Sequence, residues 1–424
     1  MNYEDLNVDE LIADVSKLLE DQPRKQKAET LARMENPEAI EEAPAKQAAP
    51  KAPKTSKNTK KKKQNSPKKK SKAKSVWGLI GKVLLILVET VLLLVIALYG
   101  LMFVLAKGPS TTARDLFVMS VRETSAMGWL ADLYFTPEQI AEIENKQPLE
   151  EYVDVDTSLI QIPQQTQPLE GDQEGNQDSR ADAWGLVDED GDGIILEEVK
   201  GEGYSGYMMV VLDPSRVIVG SVPASYGARG YTVEQMVTQF DAVAATNAGG
   251  FLDPNGTGNG SIPDTMVVYD GKVYYENLGN NEGFVGFDSN HIMHVAHKIT
   301  PKEIAEKDIR YGVSFGPVLI LNGEPCDLPP SGVNPRTAVG QRSDGAILML
   351  VIDGRQVISM GATHDDLIEI MLEYGAVNAC NLDGGSSSLM WYDGDYVNNC
   401  ASVIGIRPVP TAIVVLKEGV KENG

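Results

Sequence analysis

Residues 375–388 read GAVNACNLDGGSSS. A short apolar run suited to a buried strand passes directly into one carboxylate, two adjacent glycines and three hydroxyls. A plain turn needs one glycine and one Asn or Asp, so this loop holds more polar equipment than turning requires. A second apolar run, LMWYDG (389–394), follows it. Working outward, the same short β-type runs recur: YMMVVLD (207–213), RVIVGSV (216–222), DTMVVYD (264–270), PVLILNG (317–323), AILMLVID (346–353) and AIVVL (412–416). Three helices are predicted among them. One covers 232–240 behind Thr232 and Gln235. Another covers 300–307, opening Thr-Pro-Lys-Glu. The last covers 363–374, from Thr363 and Asp366 to a stop at Gly375. Many strands with few helices in irregular order predict an α+β domain with a mixed β-sheet core, not a doubly wound fold.

The rest of the chain divides by composition. Residues 83–106, VLLILVETVLLLVIALYGLMFVLA, carry one charge, Glu89. At 1.5 Å per residue such a run is about 36 Å long, enough to cross a bilayer core with some tilt. It is too long for a cleaved signal peptide and follows a long polar segment. Twelve lysines and no acid in 51–74 place the N-terminus in the cytoplasm and the C-terminal part outside. The expected organisation is a disordered cytoplasmic tail over 1–75 and a transmembrane signal anchor over 76–107 that contacts lipid. Membrane-proximal helices over 108–150 follow, the second starting at Thr136, Pro137 and Gln139. A linker over 151–183, the main domain over 184–418 and a short tail over 419–424 complete the chain. An amphipathic helix over 3–20 is a candidate docking element whose partner the sequence does not identify.

Charge excludes one class of partner. Residues 1–107 hold 20 Lys and Arg against 13 Asp and Glu; the remainder holds 18 against 47. So acidic an outer body is unsuited to nucleic acid, whose phosphates need clustered cations. The three cysteines allow at most one disulfide and form no CxxC metal motif.

Several motifs carry candidate chemistry. In NLDGGSSS (381–388), Asp383 is a candidate acid, base, nucleophile or hydroxyl acceptor, and Gly384 and Gly385 let backbone amides or a ligand approach closely. NAGGF (247–251) ends another strand on a small polar cluster, before a long glycine-rich loop. NPRTAVG (334–340) and VIDGR (351–355) set Arg336 and Arg355 at strand ends, where guanidinium forks suit phosphate. GVSFG (312–316) matches the serine-hydrolase elbow formally, but a strand follows Ser314 where the elbow needs a helix. HIMHVAH (291–297) is read as extended, which separates its histidines and disfavours a metal site. DEDGDGIILEEV (188–199) begins like a calcium loop but has Val199 at the twelfth position. A β-turn is the expected reading there, with weak calcium binding left open and no other cofactor expected.

Taken in order, NAGGF, SFGP, NPRTAVG, DGR and NLDGGSSS resemble the phosphodiester glycosidase family over roughly 184–418, with Ser386 standing where members more often have a third glycine. The resemblance implies an extracellular hydrolase that cleaves a sugar–phosphodiester bond at the anomeric carbon, acting on cell-envelope glycans or exopolysaccharide. On this reading Asp383 acts on the sugar, and Asp353 or Asp366 supplies a second carboxylate. Arg336 and Arg355 hold the phosphate with help from the Gly384 and Gly385 amides, and Asn247 and Ser387 orient Asp383. Gly249, Gly250, Ser314, Thr337, Asn381 and Ser386 complete the expected substrate-binding set. Two alternatives stay open: a non-catalytic glycopolymer-binding scaffold, and a metal-dependent phosphodiesterase.

Overall fold

The computed structural model describes residues 72–124, 127–144, 154–163, 182–253, 258–275, 283–402 and 405–419. The N-terminal helix expected over 3–20, the lysine run before residue 72 and most of the expected linker lie outside the described residues. Helix α1 (Lys72–Lys107) contains the apolar run; an 18-residue window of its Lys82–Lys107 part has a mean hydropathy of 2.7 and no buried residue, so this part is long and apolar enough to cross a membrane. Three further helices follow: α2 (Thr111–Arg122), α3 (Trp129–Asp132) and α4 (Pro137–Glu144). Their apolar faces close on one another and on Ala106. Phe117, Val118, Val121, Ala131, Phe135, Ile140 and Ile143 form a small core of their own.

The remainder is α+β, as expected, and it takes the form of three sheets whose described pairings are all antiparallel. The largest has the order β1 (Ile194–Gly201), β2 (Tyr204–Val211), β13 (Ile347–Ile352), β12 (Arg336–Arg342), β14 (Ala376–Leu382), β10 (Val318–Leu321), β11 (Glu324–Pro325). A second has β16 (Asp395–Tyr396), β15 (Met390–Tyr392), β4 (Ala242–Asn247), β17 (Thr411–Leu416), β3 (Val217–Ser221). The third has β6 (Lys272–Tyr275), β5 (Val267–Tyr269), β9 (Ile309–Val313), β7 (Phe284–Asp288), β8 (Met293–Ala296).

In the large sheet β13 is apolar at every position because both its faces are covered, whereas the neighbouring β12 and β14 are buried with polar residues at Arg336, Thr337, Gln341, Arg342, Asn378 and Asn381. Side chains alternate across a strand. Met209, Met349, Val351 and Val339 join Val219, Ala244, Ile413, Val285 and Val313 in a core shared by all three sheets. Met208, Leu348, Leu350 and Ala338 point the other way, onto Leu367, Ile368 and Met371 of α7 (His364–Glu373). The remaining helices are α5 (Val233–Gln239) and α6 (Pro301–Glu306). All three of these helices begin in the expected capping boxes, Thr232 with Gln235, Thr300 with Glu303 and Thr363 with Asp366. A cap of this kind contributes about 1 kcal/mol. Cys326, Cys380 and Cys400 are unbridged.

Candidate active site

Two strand ends from different sheets meet where the two motif loops begin. The Asp383 amide, just beyond β14, donates to the Ala248 carbonyl at 2.9 Å, just beyond β4. Asn247 Nδ2 returns a hydrogen bond to the Asp383 carbonyl at 2.6 Å. Asn247 Oδ1 accepts from Thr337 Oγ1 at 2.8 Å and from the Leu389 amide at 3.2 Å. Asn247 and Thr337 are therefore a buried brace that fixes the root of the 383–388 loop. Asn381 has a similar job, donating from Nδ2 to Gly316 O at 2.7 Å.

The loop glycines answer to close approach. A side chain at Gly384 would put its first carbon 2.8 Å from the Pro335 carbonyl oxygen. Gly385 has φ of +63°, and a Cβ there would sit 3.2 Å from Arg355 Nη2. The Gly385 amide donates to Pro335 O at 2.8 Å, so it serves the loop rather than a ligand.

On one side of this turn lie carboxylates. Asp383 is half-buried and Ser387 donates to its carboxylate. Desolvation pushes its pKa up to about 7; Ser387 and Arg407 oppose the rise, while Asp264 and Asp253 add to it. Asp264 is also raised, chiefly by burial, against hydrogen bonds from its own backbone and Thr265. Gly250 makes room for it: a Cβ there would lie 2.9 Å from both Asp264 carboxylate oxygens and 3.0 Å from the Phe315 ring. Arg407, buried over the Phe251 ring, pairs with Asp253 at 2.6 Å and donates to Ser386 Oγ at 3.1 Å. It thereby ties the serine loop to the glycine-rich loop after β4.

On the other side lie cations. Arg336, the first residue of β12, is buried; it donates to Ala362 O at 3.1 Å, Gly332 O at 2.6 Å and Glu123 Oε2 at 2.7 Å. Arg355, at φ +58°, donates to Thr124 Oγ1 at 3.0 Å and Asn334 Oδ1 at 3.3 Å. Desolvation and then the positive charge of Arg336 lower its pKa.

The other expected residues are placed as follows. The Gly249 amide donates to Thr411 Oγ1 at 2.9 Å, and Ser314 is buried. Asp353 accepts from Asn398 Nδ2, the Asn399 amide and Asn399 Nδ2, each at 3.0 Å. Asp366 holds the cap of α7, accepting from the Thr363 amide at 2.7 Å and hydroxyl at 2.6 Å. Both carboxylates are therefore engaged in structure. The sequence reading passed over Asp264, Asp253, Arg407 and Glu123. The one local signal was that Arg407 stands shortly before β17, much as Arg336 stands at the start of β12. His294 pairs with Asp288 at 3.2 Å. The carboxylates of Asp188, Asp190 and Asp192 lie within 4.8 Å of one another in a turn whose amides they cap.

Residues 240–416 match the family described as phosphodiester glycosidase. A curated relative, the SPbeta prophage-derived uncharacterized protein YomE of Bacillus subtilis strain 168, is 31% identical over 196 residues. That alignment covers 43% of this chain and 29% of YomE, so the chain spans under a third of that protein's length. Among solved structures, the zebrafish N-acetylglucosamine-1-phosphodiester alpha-N-acetylglucosaminidase catalytic domain, auto-inhibited by its pro-peptide, superposes with a TM-score of 0.43. It is 19% identical, with 53% of this chain and 82% of that one covered. A hypothetical protein from Synechocystis gives 0.38 at 16% identity, covering 53% and 62%. Residues 240–416 are therefore the part of the chain that matches the phosphodiester glycosidase family.

Proposed function

We propose that this domain hydrolyses the bond between the anomeric carbon of a sugar and a phosphodiester oxygen, acting on a cell-envelope glycan or related glycoconjugate. The observation that carries the reading is the pair Asp383 and Asp264, two carboxylates with raised pKa values beside the Gly384–Gly385 turn. Two carboxylates are the usual equipment of glycoside hydrolysis. The leaving group is a phosphate ester, a weak base that departs without a strong general acid. What the reaction needs is a base for the attacking water, and a carboxylate with a pKa near neutrality suits that task. In the proposed step water oxygen bonds to the anomeric carbon and its proton passes to Asp383. The carbon–oxygen bond to phosphate breaks, with the electron pair leaving on the phosphate oxygen. Asp264 faces the positive charge that develops on the sugar, and arginine stabilises the departing anion. Every role is assigned to a side chain, and calcium at Asp188–Asp192 stays an optional structural element.

The lysine-rich flank before α1 supports a single-pass anchor with the N-terminus in the cytoplasm and the glycosidase domain outside. The test is hydrolysis of a sugar 1-phosphodiester by the full chain in detergent, run in ¹⁸O-labelled water. Label in the released sugar supports the reading. Label in the phosphate product means phosphodiesterase chemistry and overturns it, as does tight substrate binding with no product.

A further inference from the structure

Glu123 follows the last residue of α2, where the helix dipole presents partial negative charge and a carboxylate is disfavoured. Its position is explained by what it reaches. Oε2 accepts from Arg336 Nη2 at 2.7 Å and Asn334 Nδ2 at 3.0 Å, and Oε1 accepts from the Gly332 amide at 2.9 Å. The next residue, Thr124, accepts from Arg355 Nη2 at 3.0 Å. These residues are more than 200 positions apart in sequence from their partners. One guanidinium, one side-chain amide and one backbone amide converging on a carboxylate form a donor set that equally suits phosphate oxygens. Beside them His364 Nε2 is buried with no hydrogen-bond partner among the described residues. The pocket adjoins the loop that carries Asp383, since Arg336 and Arg355 pack against Gly384 and Gly385.

Resting on the glycosidase reading above, we propose that Glu123 is a built-in anion seated in the substrate's phosphate site, formed by Arg336, Arg355 and His364, and that a phosphate ester binds there by displacing it. The contact is built to part. The small core of α2–α4 contains side chains from Met102 to Ile143 alone, with none from the sheets. The helix meets the domain through polar contacts instead, Glu123 and Thr124 together with Ser120 Oγ, which accepts from the Val333 amide at 3.0 Å. Among the described residues that helical core takes no side chain from the sheets, and the apolar helix that precedes α2 keeps the carboxylate close by.

The test measures inorganic phosphate binding to the full chain in detergent by isothermal titration, for wild type, Glu123→Gln, Ser120→Ala and the double variant Glu123→Gln/Arg336→Gln. Removing the competing charge while keeping side-chain shape is expected to tighten phosphate roughly tenfold or more. Ser120→Ala, which weakens the same docking contact but leaves the carboxylate, changes affinity little. The double variant loses the gain. Equal phosphate affinity in wild type and Glu123→Gln overturns the proposal. So does an equal gain in Ser120→Ala, or a gain that survives loss of Arg336. The two readings fail separately. Phosphate binding that behaves as described, with no sugar released by any variant, leaves the anion site standing and removes the hydrolytic reading. Sugar release with phosphate binding indifferent to Glu123 does the reverse.

Discussion

The two sides of the 383–388 loop are held in opposite electrostatic states. On the Asp383 side carboxylates outnumber cations: Asp383, Asp264 and Asp253 share Arg407, and burial leaves the first two with raised pKa values. On the Arg336 side cations outnumber acids, and the chain supplies its own carboxylate to the excess. Charge left uncompensated in a low-dielectric setting shifts protonation, whereas charge compensated by a removable group can be released for a ligand. On the proposed reading the first side moves a proton and the second holds an anion.

Deleting the carboxylate on the first side should have the largest effect. Asp383→Asn is expected to lower kcat by about 10²- to 10⁴-fold, the usual worth of a general base, with the fold intact by circular dichroism. A loss under tenfold would remove Asp383 from the chemistry and break the contrast between the two sides. The same substitution sharpens the contrast through stability. Asp383 has a folded pKa of about 7 against an ordinary 3.8. Between those values the folded chain binds the extra proton, so this group's contribution falls as pH rises from about 4 to 7 and the penalty is complete above 7. Asp383→Asn should therefore be the more stable protein at pH 8, by ~2 kcal/mol once partial solvent exposure is allowed for, and nearly equal to wild type at pH 4. Denaturation at the two pH values checks this; a destabilised variant at pH 8 contradicts it. The smallest effect is expected at Asp366, which belongs to neither side. Asp366→Ala should cost about 1 kcal/mol through the lost cap of α7 and leave kcat within twofold. A large fall in kcat without loss of stability would move Asp366 into the site.

How much of this was legible in the sequence follows from the range of each interaction. The three capping boxes lie within four residues, and each was readable. The Gly384–Gly385 turn was readable as a loop with a purpose, because two glycines beside an acid exceed what a turn needs. The strands were readable as apolar runs, but a run buried on both faces shows no alternation, so it does not tell which neighbour it pairs with. The second carboxylate of the proposed reading was not legible. Asp353, Asp366 and Asp264 all stand near turns, and what separates them is spatial: three donors from Asn398 and Asn399 engage Asp353, whereas burial near Asp383 raises Asp264. Arg407 bonds a serine 21 residues earlier and pairs with an acid farther back still, and Glu123 finds Arg336 across 213 residues. Nothing local marks such partners.

The most direct measurement of the central claim is the pH dependence of kcat/KM on a sugar 1-phosphodiester, for wild type and Asp264→Asn. If Asp383 is the base, wild-type kcat/KM rises with pH through about 7. Removing the Asp264 charge, which helps raise that pKa, moves the limb to lower pH. A wild-type limb near pH 4, or one that stays in place when Asp264 is neutralised, would contradict the account.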